Sequence, residues 1–191
     1  MAYDEFNVAR RVQANDDASI STSRFSNGYR TVNDDDFTTE TTYVDGIRSR
    51  QVIDRVDGNG QPDSVRTFDG EGALEAVSWT TEQGLERTNL YQNGHVSAYV
   101  SVDASDMFDF ANHRVLLERG EVVGTLTEFD TGLVRQMNIS DGRITSRSLT
   151  DGGNEYDWHS RDYAYDDAGN ITGIRTVWDD MSVTDLGTFL S

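Results

Sequence analysis

The stretch YDDAGNITGI at residues 165–174 carries the pattern that decides the fold. It starts with an aromatic residue and an aspartate, has a glycine four residues after the aromatic, and continues with spaced apolar residues. Two interpretations compete: a turn that recurs in a β-fold, and a loop of carboxylates that holds a ligand. Glycine supplies the positive φ of tight turns, whereas clustered carboxylates select cations such as Ca²⁺.

Near copies of this stretch follow one another from about residue 43 onward. FDGEGALEAV at 68–77 matches it position for position, and VDGNGQPDSV at 56–65 matches with a proline in one apolar slot. Shorter forms occur at 91–99, 117–125, 129–137 and 139–147, and a degenerate form lies near residue 80. Most steps are 10 to 12 residues, and two steps of 26 contain the turn-rich segments VDASD (102–106) and DGGN (151–154). The glycine recurs and the second aspartate does not, which favours the turn.

This spacing predicts an all-β fold. Between turns it leaves runs of strand length, too short for most helices, and the runs are rich in β-branched and aromatic residues. Asn-Gly and Asp-Gly pairs are typical of tight hairpins. We therefore expect an antiparallel meander of about ten short strands, in a curled or stacked sheet. The segment FDFANHRVLLERG at 108–120 is the one place where we expect a helical turn or two.

The predicted organisation is a polar, acidic N-terminal arm at 1–42 followed by a β-repeat domain at 43–191. The arm is rich in Asp, Ser, Thr and Asn and has few regularly spaced apolar positions. In the domain, RITSRSLT and HSRDYAY alternate polar with polar, so neither strand face would bury much apolar surface. Such strands need to curl onto the few aromatic residues or to be covered by identical chains.

Composition limits the partners. The 191-residue chain has 34 acidic and 16 basic residues, a net charge of −18, and all its basic residues are arginine. Phosphate backbones and anionic lipid surfaces are repelled by such a charge, so we expect neither nucleic acid nor membrane insertion. Without cysteine there is no disulfide or thiolate chemistry. We expect an extracellular or particle-associated protein exported without a cleaved signal peptide, with a cytoplasmic location still open.

YDDAGNITGIRTVWDD at 165–180 and FDGEGALEAVSW at 68–79 resemble the YD repeat of the Rhs and teneurin-type proteins. The resemblance covers these two copies and several eroded ones between 43 and 180. Those families build shells and stalks from long spirals of β-strands. The resemblance therefore implies scaffolding rather than catalysis.

A calcium site is the first candidate for chemistry. In DRVDGNGQPDS at 54–64, the alternating oxygen ligands Asp57, Asn59 and Asp63 surround two glycines, as in loops that wrap Ca²⁺. A complete EF-hand-like loop would need an acidic residue where Arg55 stands and a later bidentate glutamate. The competing interpretation is an ordinary hairpin turn of the repeat.

A carbohydrate site is the second candidate. The segment 151–167 gathers acids and rings, and we single out Asp157, Trp158, His159 and Tyr163 as ligand-binding residues. Paired carboxylates and stacking rings are typical of glycoside chemistry, and alternate residues of a strand share a face. The competing interpretation is exposed acids around an irregular turn, with Trp79, Trp158 and Trp178 forming an apolar seam.

The function predicted from the sequence is a non-catalytic structural or interaction module in a self-assembled, particle-borne or cell-surface structure. One alternative is a Ca²⁺-stabilised, adhesin-like secreted segment, for which the C-terminal MSVTDLGTFLS would serve as an export signal or simply as a last strand. Another is an enzyme that acts on polysaccharide through residues 157–167. A homo-oligomer or larger assembly is the expected partner, and carbohydrate is the other.

Overall fold

A computed structural model describes residues 2–3, 9–14, 20–23, 28–33, 37–55 and 63–187 of the chain, with side chains at 38–54 and 63–187. All regular structure in these ranges is β-strand. The predicted all-β class is thus confirmed, with more strands than the ten or so expected. Because the described residues form no helix, none of them forms one long and apolar enough to cross a membrane.

The chain divides into two compact units. The first comprises Met1–Thr80 and Thr88–Gly94, and the second comprises Thr81–Arg87 and His95–Ser191. The predicted arm at 1–42 falls within the first unit and contributes β-strands to it, while its boundary at residue 42 stays a prediction.

The first unit is an antiparallel meander in which each strand from β1 to β8 pairs with the next one along the chain. The following strand, β9, is divided between the two units. These nine strands are β1 (Ala2–Tyr3), β2 (Ala9–Ala14), β3 (Ile20–Ser23), β4 (Gly28–Asn33), β5 (Phe37–Val44), β6 (Ile47–Arg55), β7 (Ser64–Phe68), β8 (Leu74–Thr80) and β9 (Leu85–Gln92).

The second unit repeats the arrangement, and each strand from β10 to β17 pairs antiparallel with the next. Its last strand covers residues 183–187 of the C-terminal segment 181–191, for which a strand was one prediction. The eight strands are β10 (His95–Asp103), β11 (Phe110–Glu118), β12 (Glu121–Phe129), β13 (Leu133–Ser140), β14 (Arg143–Asp151), β15 (Trp158–Tyr165), β16 (Ile171–Trp178) and β17 (Val183–Gly187).

The expected helical turn at 108–120 is wrong, because Phe110–Glu118 is strand β11. The pairing of β11 with β12 shifts between Phe110 and Asn112 and again between Leu116 and Leu117. The first shift adds an extra residue, Ala111, to β11, and the second adds Val123 to β12, so each interrupts the alternation of faces on its own strand. The consecutive apolar residues Val115, Leu116 and Leu117 lie on an extended strand.

Two-residue hairpin turns contain three of the Asp-Gly and Asn-Gly pairs. In each, both central residues have positive φ, as in Asp141 (51°) and Gly142 (73°), which is the type I′ geometry that matches the twist of the paired strands. Arginine takes the first position once. The four turns are Asp45-Gly46, Asn93-Gly94, Arg119-Gly120 and Asp141-Gly142.

The stretch 165–174 forms a longer turn held by its own aspartate. One carboxylate oxygen of Asp166 accepts hydrogen bonds from the backbone amides of Ala168 (2.9 Å) and Asn170 (2.8 Å), and Gly169 has a φ of 83°. In the copy at 68–77, Asp69 accepts the equivalent bonds from the amides of residues 71 and 73, both at 2.9 Å. The conserved geometry of the two copies shows that the aspartate of the repeat closes a turn.

Two longer loops explain the double-length steps of the repeat. Asp103 accepts hydrogen bonds from the amides of Ser105 (3.1 Å) and Phe108 (2.6 Å) and so closes the loop 104–109. Asp151 does the same for 152–157, with Glu155 at 3.1 Å and Tyr156 at 2.7 Å. Each step of 26 residues therefore contains two strands and one loop that begins at an aspartate.

Candidate functional site

The register of the second unit sorts its side chains onto two faces. Directly paired residues share a face, and alternate residues along a strand point to opposite faces. One face carries Arg135, Arg147 and Arg161 on the neighbouring strands β13, β14 and β15, and we call it the arginine face. Its two central rows, from β10 to β17, are Tyr99, Val115, Thr125, Met137, Arg147, Tyr163, Ile174, Leu186 and Ser101, His113, Thr127, Arg135, Leu149, Arg161, Thr176, Thr184.

Each of the three arginines lies over an aromatic ring. The guanidinium carbon is 4.0 Å from the centre of the Tyr163 ring for Arg147, 4.8 Å from Trp158 for Arg161, and 5.1 Å from Phe129 for Arg135. At these distances the ring quadrupole attracts the cation. The long side chains thus cover these rings with their aliphatic stems and planar head groups.

These arginines have no anionic partner among the described residues. The Nε atom of each is enclosed and lacks a hydrogen-bond acceptor, and no described carboxylate forms an ion pair with them. A buried donor without an acceptor costs free energy, so such groups are rare in native structures. By contrast, Arg175 in the same unit is paired, since it donates two hydrogen bonds to Asp185 at 2.8 and 3.1 Å.

The arginine face also affects the pKa of His113, which lies on it. The Nδ1 atom of His113 lies 2.9 Å from the hydroxyl oxygen of Thr127, which is buried. Burial, together with the charge of Arg135, lowers the pKa of His113. The imidazole therefore remains neutral to a lower pH than usual, and the fixed charge of the face comes from the arginines.

The opposite face, which we call the polar face, contains a groove of about 530 Å³. Its central rows combine small and hydrogen-bonding residues, including Asn138, which donates to the Ser146 hydroxyl oxygen at 2.8 Å. The volume lies in the range of small-molecule sites. The groove is lined by Gln136, Asn138, Ser146, Ser148, Asp162, Ala164 and Arg175 of the polar face, together with Thr145, Arg147, Tyr163, Tyr165 and Thr172.

Acidic residues gather where the loop 104–109 meets the turn between β12 and β13, and we call this place the acid end. The amide of Asp130 reaches the carbonyl oxygen of Asp109 at 3.4 Å. Partial desolvation and the charges of Asp106, Asp103 and Asp109 raise the pKa of Asp130. The carboxylates of the acid end therefore repel one another.

The predicted calcium ligands lie mostly outside the described residues. Asp57 and Asn59 are not described, and Asp63 is exposed. In the ranges 38–54 and 63–187 no three acidic or histidine side chains come together as a metal site would require. Calcium binding at 57–63 stays a prediction.

The predicted carbohydrate residues lie on both sides of the point where β15 begins: Asp157 precedes the strand, and the other three belong to it. Asp157 lies in the loop before the strand and is exposed, as is His159, whereas Trp158 is 4% exposed and stacks on Tyr156 with ring centres 4.9 Å apart. Tyr163 is half-buried under Arg147. Trp158 and Tyr163 thus belong to the packing of the arginine face, and ligand binding by the four residues stays a prediction.

Sequence reasoning missed the arginine face because strand register decides it. Arg135, Arg147 and Arg161 are separated by 12 and 14 residues in the chain. Those separations suit one turn and one strand, so the repeat spacing itself was the signal that could have placed them on neighbouring strands. No protein-family model matches the chain, and no curated protein is significantly similar to it.

Proposed function

We propose that the protein is a non-catalytic β-repeat interaction module that works in an assembly with copies of itself. The observation that carries the proposal is the distribution of apolar side chains. Among the described residues only Leu85, Ala98 and Trp158 are buried hydrophobic residues, while fourteen large hydrophobic side chains are exposed, Leu186 by 62% and Val183 by 54%. Sheets of this kind gain stability when another surface covers them.

Measuring the mass in solution tests this proposal. Sedimentation or light scattering over a concentration series at low salt is expected to give a stable oligomer with or without calcium. A folded monomer at every concentration, with or without calcium, would overturn the proposal. An oligomer found only with calcium would instead favour the alternative of a calcium-stabilised secreted segment.

Calcium binding at 57–63 is kept as part of that alternative. Calorimetry on chelator-treated protein would then show heat on addition of calcium, and calcium would raise the melting temperature of the wild type but not of Asp57→Ala. Asp69→Ala is the matched control, because it removes the aspartate of another copy of the repeat. Absence of heat together with equal melting temperatures would exclude the site.

A second candidate function, saccharide binding in the groove of the polar face, is favoured by its lining of hydroxyl, amide and charged groups. Such groups donate and accept the hydrogen bonds that fix a polar ligand in a small site. Titration with a panel of neutral oligosaccharides, monitored by calorimetry, is the test. Binding that Ser148→Leu abolishes would support it, and a panel without heat would exclude it.

A further inference from the structure

We infer that the arginine face of one copy binds the acid end of a second copy, so that copies join face to end. The inference rests on the proposed function and specifies the contact that would hold the assembly together. Three observations in the second unit carry it, and each concerns described side chains.

The first observation is that the arginine face lacks its anions. Three guanidinium groups lie on three neighbouring strands, half-buried, each over a ring and none paired with a carboxylate. Arg135 and Arg161 share a row two strands apart, so their backbones are about 9 to 10 Å from each other, with Arg147 between them in the next row. Because the Nε atoms are enclosed, the two parallel hydrogen bonds to an approaching carboxylate come from the terminal nitrogens of these planar groups.

The second observation is that no described basic side chain offsets the charge of the carboxylates at the acid end. Asp106, Asp109 and Asp130 are exposed, and the charges at this end act on Asp130 without a basic group to offset them. The chain has an excess of eighteen acidic residues, and at the acid end the fold brings several of their carboxylates close to one another. A cationic surface that approached it would find several acceptors at once.

The third observation is the position of the two surfaces on one unit. One is a face of strands β13–β15, and the other lies at the loops that begin after β10 and β12. A contact between different surfaces of identical chains is heterologous, and it extends into a ring or a filament. The charge complementarity therefore selects a second copy as the occupant and predicts growth beyond a dimer.

The decisive experiment neutralises the acid end. The triple variant Asp106→Asn, Asp109→Asn, Asp130→Asn keeps Asp103, which closes the loop. A protein of charge −18 should self-associate more readily when acids are removed, since net charge keeps chains apart. The inference predicts the opposite: an association about tenfold weaker or more at low salt, measured by sedimentation velocity. The control Glu40→Gln, Glu71→Gln, Glu75→Gln removes the same charge from the first unit and should not weaken association.

The arginine face is tested by Arg135→Gln together with Arg161→Gln. This variant should also be monomeric at concentrations where the wild type assembles, and a 1:1 mixture of the two variants should form a heterodimer that grows no further. A melting curve checks that each variant folds, and the acid-end variant alone suffices should the arginine variant unfold. Salt should dissociate the wild type, because the Debye length falls from about 30 Å at 0.01 M to about 3 Å at 1 M.

The outcomes separate the two claims. A wild type that assembles while the acid-end variant assembles equally well or better overturns the face-to-end contact and leaves the proposed function standing. A wild type that is monomeric at every salt and protein concentration overturns both. If a sulfated or carboxylated polysaccharide bound the arginine face while the acid-end variant still assembled, the occupant would be that polymer and the inference would be wrong.

Discussion

At the scale of single residues, the aspartate and the glycine of the repeat each meet a requirement of the turn backbone. Asp166 and Asp69 close equivalent turns, and the glycine that follows adopts the left-handed conformation. In the last turn, after β16, Met181 occupies the glycine position with a φ of 65°. A side chain with a Cβ atom is strained there, so the chain contains both the preferred and the disfavoured version of the same turn.

Substitutions at these positions should therefore have opposite signs. Gly169→Ala should lower the free energy of unfolding by about 1 to 2 kcal/mol, because no side chain obstructs the site and only the φ of 83° opposes it. Met181→Gly should raise it by up to about 1 kcal/mol. Urea denaturation measures both, and Gly70→Ala, which has open space and no positive φ, is the control that should not destabilise.

The pH dependence of stability should reflect Asp151. Burial raises the pKa of this carboxyl, but hydrogen bonds from the amides of Tyr156, Glu155 and their neighbours outweigh it and leave the pKa below its ordinary value. A lowered folded-state pKa means that Asp151 stabilises the fold above its unfolded pKa, and that the contribution disappears as pH falls through the folded value. Asp151→Asn should therefore melt below the wild type at pH 7 and approach it as the pH falls below the ordinary pKa of an aspartate. A gap that stayed constant with pH would contradict this.

At the scale of strands and turns, the sequence could predict the hairpins but not the faces. Asn-Gly and Asp-Gly pairs act through local φ angles, so the turns at Asn93 and Asp141 follow from a few letters. Which side chains meet across β13, β14 and β15 depends on register, which a one-residue shift such as that at Leu116 changes. The stacking of arginine on aromatic rings was therefore beyond the reach of the sequence alone.

The pair Arg147 and Tyr163 offers a direct measure of that stacking. The single variants Arg147→Met and Tyr163→Leu and the double variant form a thermodynamic cycle. We expect a coupling free energy of about 0.5 to 1 kcal/mol, typical of a cation over a ring that is partly exposed. Unfolding in urea gives the four free energies. If the effects of the two single variants on the free energy of unfolding were additive, the arginine would stabilise the fold only by covering apolar surface.

At the scale of the whole molecule, rings and long polar side chains replace an apolar core. Hydrophobic residues make up 36% of the chain, and few of those described are buried. The low apolar content predicted that few hydrophobic residues would be buried. The polar alternation of β14 and β15 predicted that the faces of these strands would need to be covered. How the chain covers one face with its own arginines could not be predicted, because it depends on pairs of strands rather than on composition.

The emission of the three tryptophans should report this packing. Trp158 is 4% exposed, and Trp79 and Trp178 are half-buried, so the emission should be blue-shifted and weakly quenched by acrylamide. Trp158→Phe should remove the least accessible component and shift the remaining emission to the red. Strongly red-shifted, easily quenched emission from the wild type would contradict the burial.

The two-residue turns also govern how such a chain can change its length. A single inserted residue beside Gly120 or Gly142 would carry every later side chain of that strand to the other side of the sheet. Insertions and deletions are therefore expected to disrupt strand pairing at the tight hairpins. Among the described loops, 104–109 and 152–157 should accept them without a change of register, although an insertion in 104–109 would alter the acid end. Those two loops are where a tag or a foreign loop could be grafted while the order of the strands is kept.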